Sequence, residues 1–137
     1  AIRRQRQMCI RDRSSTIDYE NLYDVGYEEI VQCYQRCDIV SFPSVYEGFG
    51  VPILEANAAG RPIIAGDIPV LHEVANDAAC FVNPYSVDSI RSGFVKVIEH
   101  DEYREELVAK GLKNIERFSP KAIAEKYNEV YKELSDE

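Results

Sequence analysis

Ser44-Val45-Tyr46-Glu47-Gly48-Phe49-Gly50-Val51-Pro52-Ile53-Leu54-Glu55-Ala56 joins two different hydrophobic patterns. Before it, Asp38-Ile39-Val40-Ser41-Phe42 is a short β-branched and aromatic run closed by Pro43, which reads as a buried strand. After it, Ile53, Leu54, Ala58 and Ala59 recur at helical spacing until Gly60 ends the run. Pro52 suits the first helical turn, where its missing N–H would have had no partner anyway. Gly48 and Gly50 permit a sharp bend and a close approach of a ligand to the backbone. The amides of Phe49, Gly50 and Val51 then lie at the positive end of a helix, where phosphate oxygens are favoured. In open α/β sheets such a crevice lies at the carboxyl ends of the strands.

Two glutamates flank this anion site. A carboxylate beside a diphosphate is repelled by it, so Glu47 and Glu55 must each face another group, and hydroxyls are the obvious partners. A carboxylate accepts two hydrogen bonds from a vicinal diol, as the acidic residue of dinucleotide folds does with ribose. Glu55, in the first turns of the helix, lies close enough for a ribose, and Glu47 lies farther out, in the loop. The plainer alternative is that Glu55 complements the helix dipole and Glu47 decorates a turn.

The Glu47-to-Glu55 spacing and the Glu47-Gly48-Phe49-Gly50 turn resemble the Glu-x7-Glu signature of the family 4 (group 1) glycosyltransferases, enzymes of GT-B fold. The resemblance runs from roughly Val25 to the end, and its motif points to a superfamily rather than a substrate. It implies an α/β fold: a Rossmann-like parallel sheet with helices on both faces, part of the carboxy-terminal domain of GT-B, ending in a helical segment. It also implies the donor-binding part of a retaining glycosyltransferase that moves a sugar from a nucleotide-diphosphate sugar to a glycan or lipid-linked acceptor. Glu47 is then the catalytic candidate, and Glu47, Gly48, Phe49, Gly50, Val51 and Glu55 are the donor-binding ones. No metal ligand and no cofactor beyond the donor substrate are implied, and no Asp-x-Asp motif occurs. Family members also use an arginine and a lysine from earlier in the domain on the leaving diphosphate, whose growing charge needs stabilising. Between Ser14 and Gly48 the only basic residue is Arg36, on a helix with no reason to face the cleft. The expectation is that this clamp and the acceptor-binding amino-terminal domain are encoded upstream, and that this polypeptide alone catalyses nothing.

Ile2-Arg3-Arg4-Gln5-Arg6-Gln7-Met8-Cys9-Ile10-Arg11-Asp12-Arg13 resembles the in-frame translation of a transposase-type sequencing adapter and is excluded from fold reasoning. The competing reading is a basic arm for nucleic acid or a phospholipid surface. The domain expectation is thus a non-native, disordered tail over 1–13 and a partial nucleotide-sugar-binding domain over 14–137.

The whole chain has 16 basic and 24 acidic residues, a net charge of −8. The excluded segment holds five arginines and Asp12, so 11 basic residues face 23 acidic ones in the remainder, a net of −12. That balance argues against nucleic acid as a partner and for a soluble domain. About 124 residues suffice for one core but not for the two domains of a complete enzyme of this kind. No apolar stretch is long enough to span a bilayer, and no secretory signal is recognisable. Cys33 and Cys37 share a helical face and read as reduced packing residues; outside the excluded segment Cys80 is the one other cysteine, and with no second pair or nearby histidine a zinc site is not expected and a reducing cytoplasm fits. With the resemblance, this places the parent in the cytoplasm, at the inner face of a membrane through peripheral association.

Elsewhere helices and strands alternate, which implies a parallel sheet covered on both faces. Tyr27 to Arg36 reads as a helix with Ile30, Val31 and Tyr34 on one side, Arg61 to Ala65 and Ala79 to Val82 as strands, and Pro69 as the start of a short helix. Ile90, Phe94, Val97 and Ile98 form one apolar stripe, and Leu107, Val108, Leu112 and Ile115 the next. Ser119 is placed as N-cap and Pro120 as first residue of a last helix, whose stripe is Ile123, Ala124, Tyr127, Val130, Tyr131 and Leu134. That stripe either packs on its own domain or, as GT-B enzymes suggest, crosses to an amino-terminal domain and is bare here. His72 and His100 read as surface or partly packed residues rather than general bases, Glu73 receives no chemical role, and Tyr46 either lines the cleft or packs in the core. A non-catalytic nucleotide-binding regulatory module, and a GT-B relative that epimerises or phosphorolyses its sugar, stay open as alternatives.

Overall fold

In the computed structural model, residues 20–135 are described, so the adapter-like segment lies outside the described residues. Two units are distinguished, one through Ile30 and one from Val31 onward. In the first, Gly26 N–H donates to Glu29 Oε2 at 2.8 Å and Ile30 N–H to Gly26 O at 3.2 Å, opening helix α1, Tyr27–Arg36. The second holds the rest of α1 and everything that follows.

Its elements are β1 (Val40–Phe42), α2 (Val51–Ala58), β2 (Ile63–Gly66), α3 (Pro69–Ala75), β3 (Cys80–Val82), α4 (Val87–Glu99), α5 (Asp101–Asn114), a 3-10 turn (Ile115–Phe118) and α6 (Pro120–Ser135). The strands pair in parallel in the order β1-β2-β3, with Val40 opposite Ile63 and Ile64 opposite Cys80. Parallel neighbours require crossover helices, and right-handed crossovers advancing in one direction put α2 and α3 on the same face. Strand residues alternate between faces, which divides β2 cleanly. Ile63 and Ala65 join Ile53 and Ala56 of α2 and Leu71 and Val74 of α3 in one core. Ile64 joins Cys80, Val82, Val97 of α4 and Leu107 of α5 in the other. Each fully buried aliphatic side chain contributes about 1.5–3 kcal/mol, so the two cores fix the sheet between its helical layers.

The expected α/β order is found, with two differences of extent. Asp38 and Ile39 precede the ladder, because Val40 is the first residue to find a partner across to β2. Ile98 and Leu112 continue apolar stripes but are exposed at 56% and 47%. They line a hollow of about 650 Å³ at the amino ends of β1 and β2, together with Ile39, Pro62 and Val108. The last helix starts as its sequence indicates: Pro120 is its first residue, and Ser119 Oγ accepts from Ala122 N–H at 3.2 Å. None of its residues is buried.

A buried polar junction ties the layers together. Asn114 Nδ2 donates to Asn57 Oδ1 and to Val74 O, both at 3.0 Å, and Asn57 Nδ2 donates to Ala78 O at 3.3 Å. Arg117 adds bonds to Asn114 Oδ1 at 2.6 Å and Glu73 O at 3.2 Å. Such groups are tolerable in a core only when their hydrogen bonds are made, as they are here.

Candidate functional site

The chain leaves β1 at Phe42 and reaches α2 at Val51, so the intervening turn stands at the carboxyl ends of the strands. Two close approaches shape it. Gly50, the residue before α2, has φ +101°, a left-handed conformation that suits glycine, and a Cβ there would lie 2.5 Å from Leu71 Cδ2. Gly66, at the end of β2, lies so near the turn that a Cβ would sit 2.2 Å from Ser44 O. Gly48 has open space around it and no positive φ, so the bend expected of both turn glycines falls on Gly50 alone.

Ile53 N–H donates to Gly50 O at 3.0 Å and opens the helical ladder. The amides of Phe49, Gly50 and Val51 precede that bond and have no protein acceptor among the described residues. The Gly50 backbone is buried while Phe49 and Val51 are exposed, so the turn is an open ledge. The Phe49 ring is packed edge-on against Phe118, with centroids 5.9 Å apart, and Arg117 lies over the other ring's neighbourhood at 5.1 Å from the Phe118 centroid. The Phe49 side chain therefore holds the ledge against the 3-10 turn, while its backbone amide has no protein acceptor among the described residues. Tyr46 is 85% exposed and forms no part of either core.

Both acids are held by hydroxyls. Ser44 Oγ donates to Glu47 Oε1 at 2.7 Å, and Tyr34 Oη donates to Glu55 Oε2 at 2.8 Å. All four side chains are half-buried. Burial, followed by the hydrogen bond to Glu55 and its charge, pushes the Tyr34 phenol well above the ordinary tyrosine range, which keeps it a neutral donor. The structure thus brings Glu47, Gly48, Phe49, Gly50, Val51 and Glu55 onto one strand–turn–helix unit. The hollow of about 650 Å³ lies at the other end of the strands and includes none of them.

A family model described as glycosyl transferases group 1 matches residues 21–114. The chain belongs to this family. It is 36% identical over 98 residues to O-antigen chain mannosyltransferase B of Escherichia coli, covering 69% of this chain and 26% of that protein. It is 41% identical over 78 residues to O-antigen chain mannosyltransferase RfbU of Salmonella typhimurium, covering 57% and 22% respectively. The chain thus spans about a quarter of the length of these relatives. Among solved structures, sucrose-phosphate synthase from Thermosynechococcus elongatus superimposes with a TM-score of 0.81 at 20% identity, over 98% of this chain and 34% of that one. The C-terminal domain of the glycosyl transferase group 1 protein LpcC from Francisella tularensis does so with 0.66 at 23% identity, over 83% and 60%. The fold is accordingly the Rossmann-like carboxy-terminal part of a GT-B glycosyltransferase.

Residues beside the family turn take other parts. His72 Nε2 lies 2.7 Å from Asp67 Oδ1, and its ring stacks on Phe81 with centroids 3.7 Å apart. His100 is the exposed residue between α4 and α5. Glu73 is exposed and its carbonyl accepts from Arg117, a backbone role. Arg61 Nε donates to Tyr34 O at 3.1 Å and a terminal nitrogen to Gln35 O, so this cation closes the end of α1. Cys33, Cys37 and Cys80 are free, and Cys37, its thiol pushed up chiefly by burial, donates to Tyr34 O at 3.4 Å. Among the described residues no group of three or more His, Cys, Asp or Glu is placed to hold a metal ion. No helix among them is long and apolar enough to cross a membrane.

Sequence reasoning missed Tyr34, Ser44, Gly66 and Phe118 as supports of the site. Ser44 was within reach of it, being three residues before Glu47 with a donor hydroxyl. The other three meet the turn only through tertiary packing.

Proposed function

We propose that the protein to which this chain belongs transfers a sugar from a nucleoside-diphosphate sugar to a glycan or lipid-linked acceptor, and that this chain supplies the donor-binding part. The observation that carries the reading is the ledge before α2, with three amides that have no protein acceptor among the described residues, set between two hydroxyl-held carboxylates. Oriented amides at a helix terminus stabilise a diphosphate both when bound and as its charge grows on departure. In this reading the amides of Phe49, Gly50 and Val51 take the phosphates, Glu47 orients the sugar, and Glu55 takes the ribose hydroxyls. Retention of configuration goes with the family signature. The names of the two O-antigen relatives favour mannose as the transferred sugar.

A ledge needs a facing wall to exclude water, and further basic charge to hold a leaving diphosphate. The ledge is open, and Arg117, which lies against Phe118, is already bonded to Asn114 Oδ1 and Glu73 O; in this reading both functions come from other parts of the protein, and no transfer is expected from this chain alone. Association of the whole protein with the cytoplasmic face of a membrane belongs to the same proposal, since a lipid-linked acceptor would be met there.

The test is sugar transfer by the full-length protein and two variants. Glu47→Gln should lower kcat by about 100-fold or more with little change in donor KM, because it removes charge felt in the transition state. Glu55→Gln should raise donor KM about tenfold and leave kcat nearly unchanged. Unchanged kinetics in both variants, or transfer by the isolated chain at the full-length rate, would contradict the reading.

A further inference from the structure

We infer that Tyr34 is a positioning residue for the donor's ribose: its hydroxyl holds one oxygen of Glu55 and leaves the other facing the vicinal diol. The inference rests on the assignment of Glu55 to the ribose proposed above.

Tyr34 and Glu55 are 21 residues apart and sit on different helices, α1 and α2. The contact is 2.8 Å from Tyr34 Oη to Glu55 Oε2, a good distance for a hydroxyl donating to a carboxylate. A free glutamate has three soft torsions, and ordering it on binding costs conformational entropy. With Oε2 engaged, the side chain is ordered before the ligand arrives, which is the general route by which preorganisation raises affinity. A carboxylate offers about four acceptor positions, so one phenol leaves enough for two adjacent hydroxyls.

The phenol is itself fixed. Arg61 donates to the carbonyls of Tyr34 and Gln35, and the Cys37 thiol donates to the Tyr34 carbonyl. Arg61 stands three residues beyond the end of α2, and its N–H donates back to Ala56 O at 2.9 Å. The two helices are therefore joined at two points, by a guanidinium at the backbone and by a phenol at the acid. Tyr34 is half-buried, and its ring also packs on the core that contains Ile53 and Ile63. Tyr34→Phe keeps that packing and removes only the hydroxyl.

The experiment measures binding of UDP, GDP and ADP, and of their 2′,3′-dideoxy counterparts, to the full-length protein. Wild-type protein should bind at least one ribonucleotide more tightly than its dideoxy form. Tyr34→Phe should weaken that ribonucleotide about fivefold and leave the dideoxy form within twofold, narrowing the discrimination. In a Glu55→Gln background the same substitution should change ribonucleotide affinity by less than twofold, since the tether then has no charged acceptor to hold. Wild-type discrimination that Tyr34→Phe leaves intact would overturn the role of Tyr34 while sparing that of Glu55. Equal weakening of both nucleotide forms would show a packing role and overturn it as well. If the wild type binds no nucleotide, or binds ribo and dideoxy forms alike, the ribose assignment of Glu55 fails and takes the inference with it.

Discussion

The two helices α2 and α6 show opposite relations between sequence pattern and burial. Helix α2 has eight residues, a nearly uniform apolar composition and three buried positions, Ile53, Ala56 and Asn57. Helix α6 has sixteen residues and a clear apolar stripe, yet none of its residues is buried. A helix enclosed on most sides has no need of a polar face, so its periodicity fades as its burial rises. A helix with a strong stripe needs only one partner surface, and the stripe persists whether or not the partner is present. Periodicity is thus a guide to how many sides are meant to be covered, and composition to how deeply.

The contrast can be broken by substitutions in each region. The largest effect is expected for Gly66→Ala, because the new methyl would sit 2.2 Å from Ser44 O, a backbone atom with no rotamer to change. Thermal or urea unfolding should show a loss on the order of 3 kcal/mol. The displaced Ser44 should also release Glu47. A stable Gly66→Ala variant would show that the turn is far more plastic than the packing implies.

Asn114→Ala comes next. It deletes the donor to Asn57 Oδ1 and Val74 O and leaves both acceptors buried, which should cost about 2 kcal/mol by the same unfolding measurement. A near-neutral result would mean that the polar junction between α2, α3 and α5 contributes order rather than stability. The smallest effect is expected in α6. Tyr127 and Tyr131 are 63% and 65% exposed, so the double substitution to serine should shift stability by no more than about 0.5 kcal/mol. A loss several times larger would show that the stripe is covered in solution.

Much of this architecture was legible because its signals are local. Pro43, Pro62 and Pro84 bracket short β-branched runs, and each run is or contains a strand. Helix α2 was recognisable from its ends, Pro52 and Gly60, more than from its interior. The same local reading overshot at Ile98 and Leu112, which keep the helical period but are exposed while their neighbours Val97 and Gly111 are buried. The signature acids were legible because Glu47 and Glu55 belong to one continuous turn and helix. Their supports were not. Tyr34 looked like one more apolar residue of α1, and its bond to Glu55 depends on how α1 and α2 meet through Arg61. Gly66 looked like an ordinary turn residue, and only the approach of β1's exit to β2's end shows why no side chain fits there.

The ledge before α2 and the hollow at the opposite end of the sheet compete as ligand sites, and amide chemical shifts distinguish them directly. Titrating the isotope-labelled chain with a nucleoside diphosphate should move the amide resonances of Phe49, Gly50 and Val51 first, with those around Glu55 following when a ribose is present. Shifts confined to residues such as Ile39, Ile98 and Leu112, or no shifts at millimolar nucleotide, would contradict the claim that this turn holds the donor's diphosphate.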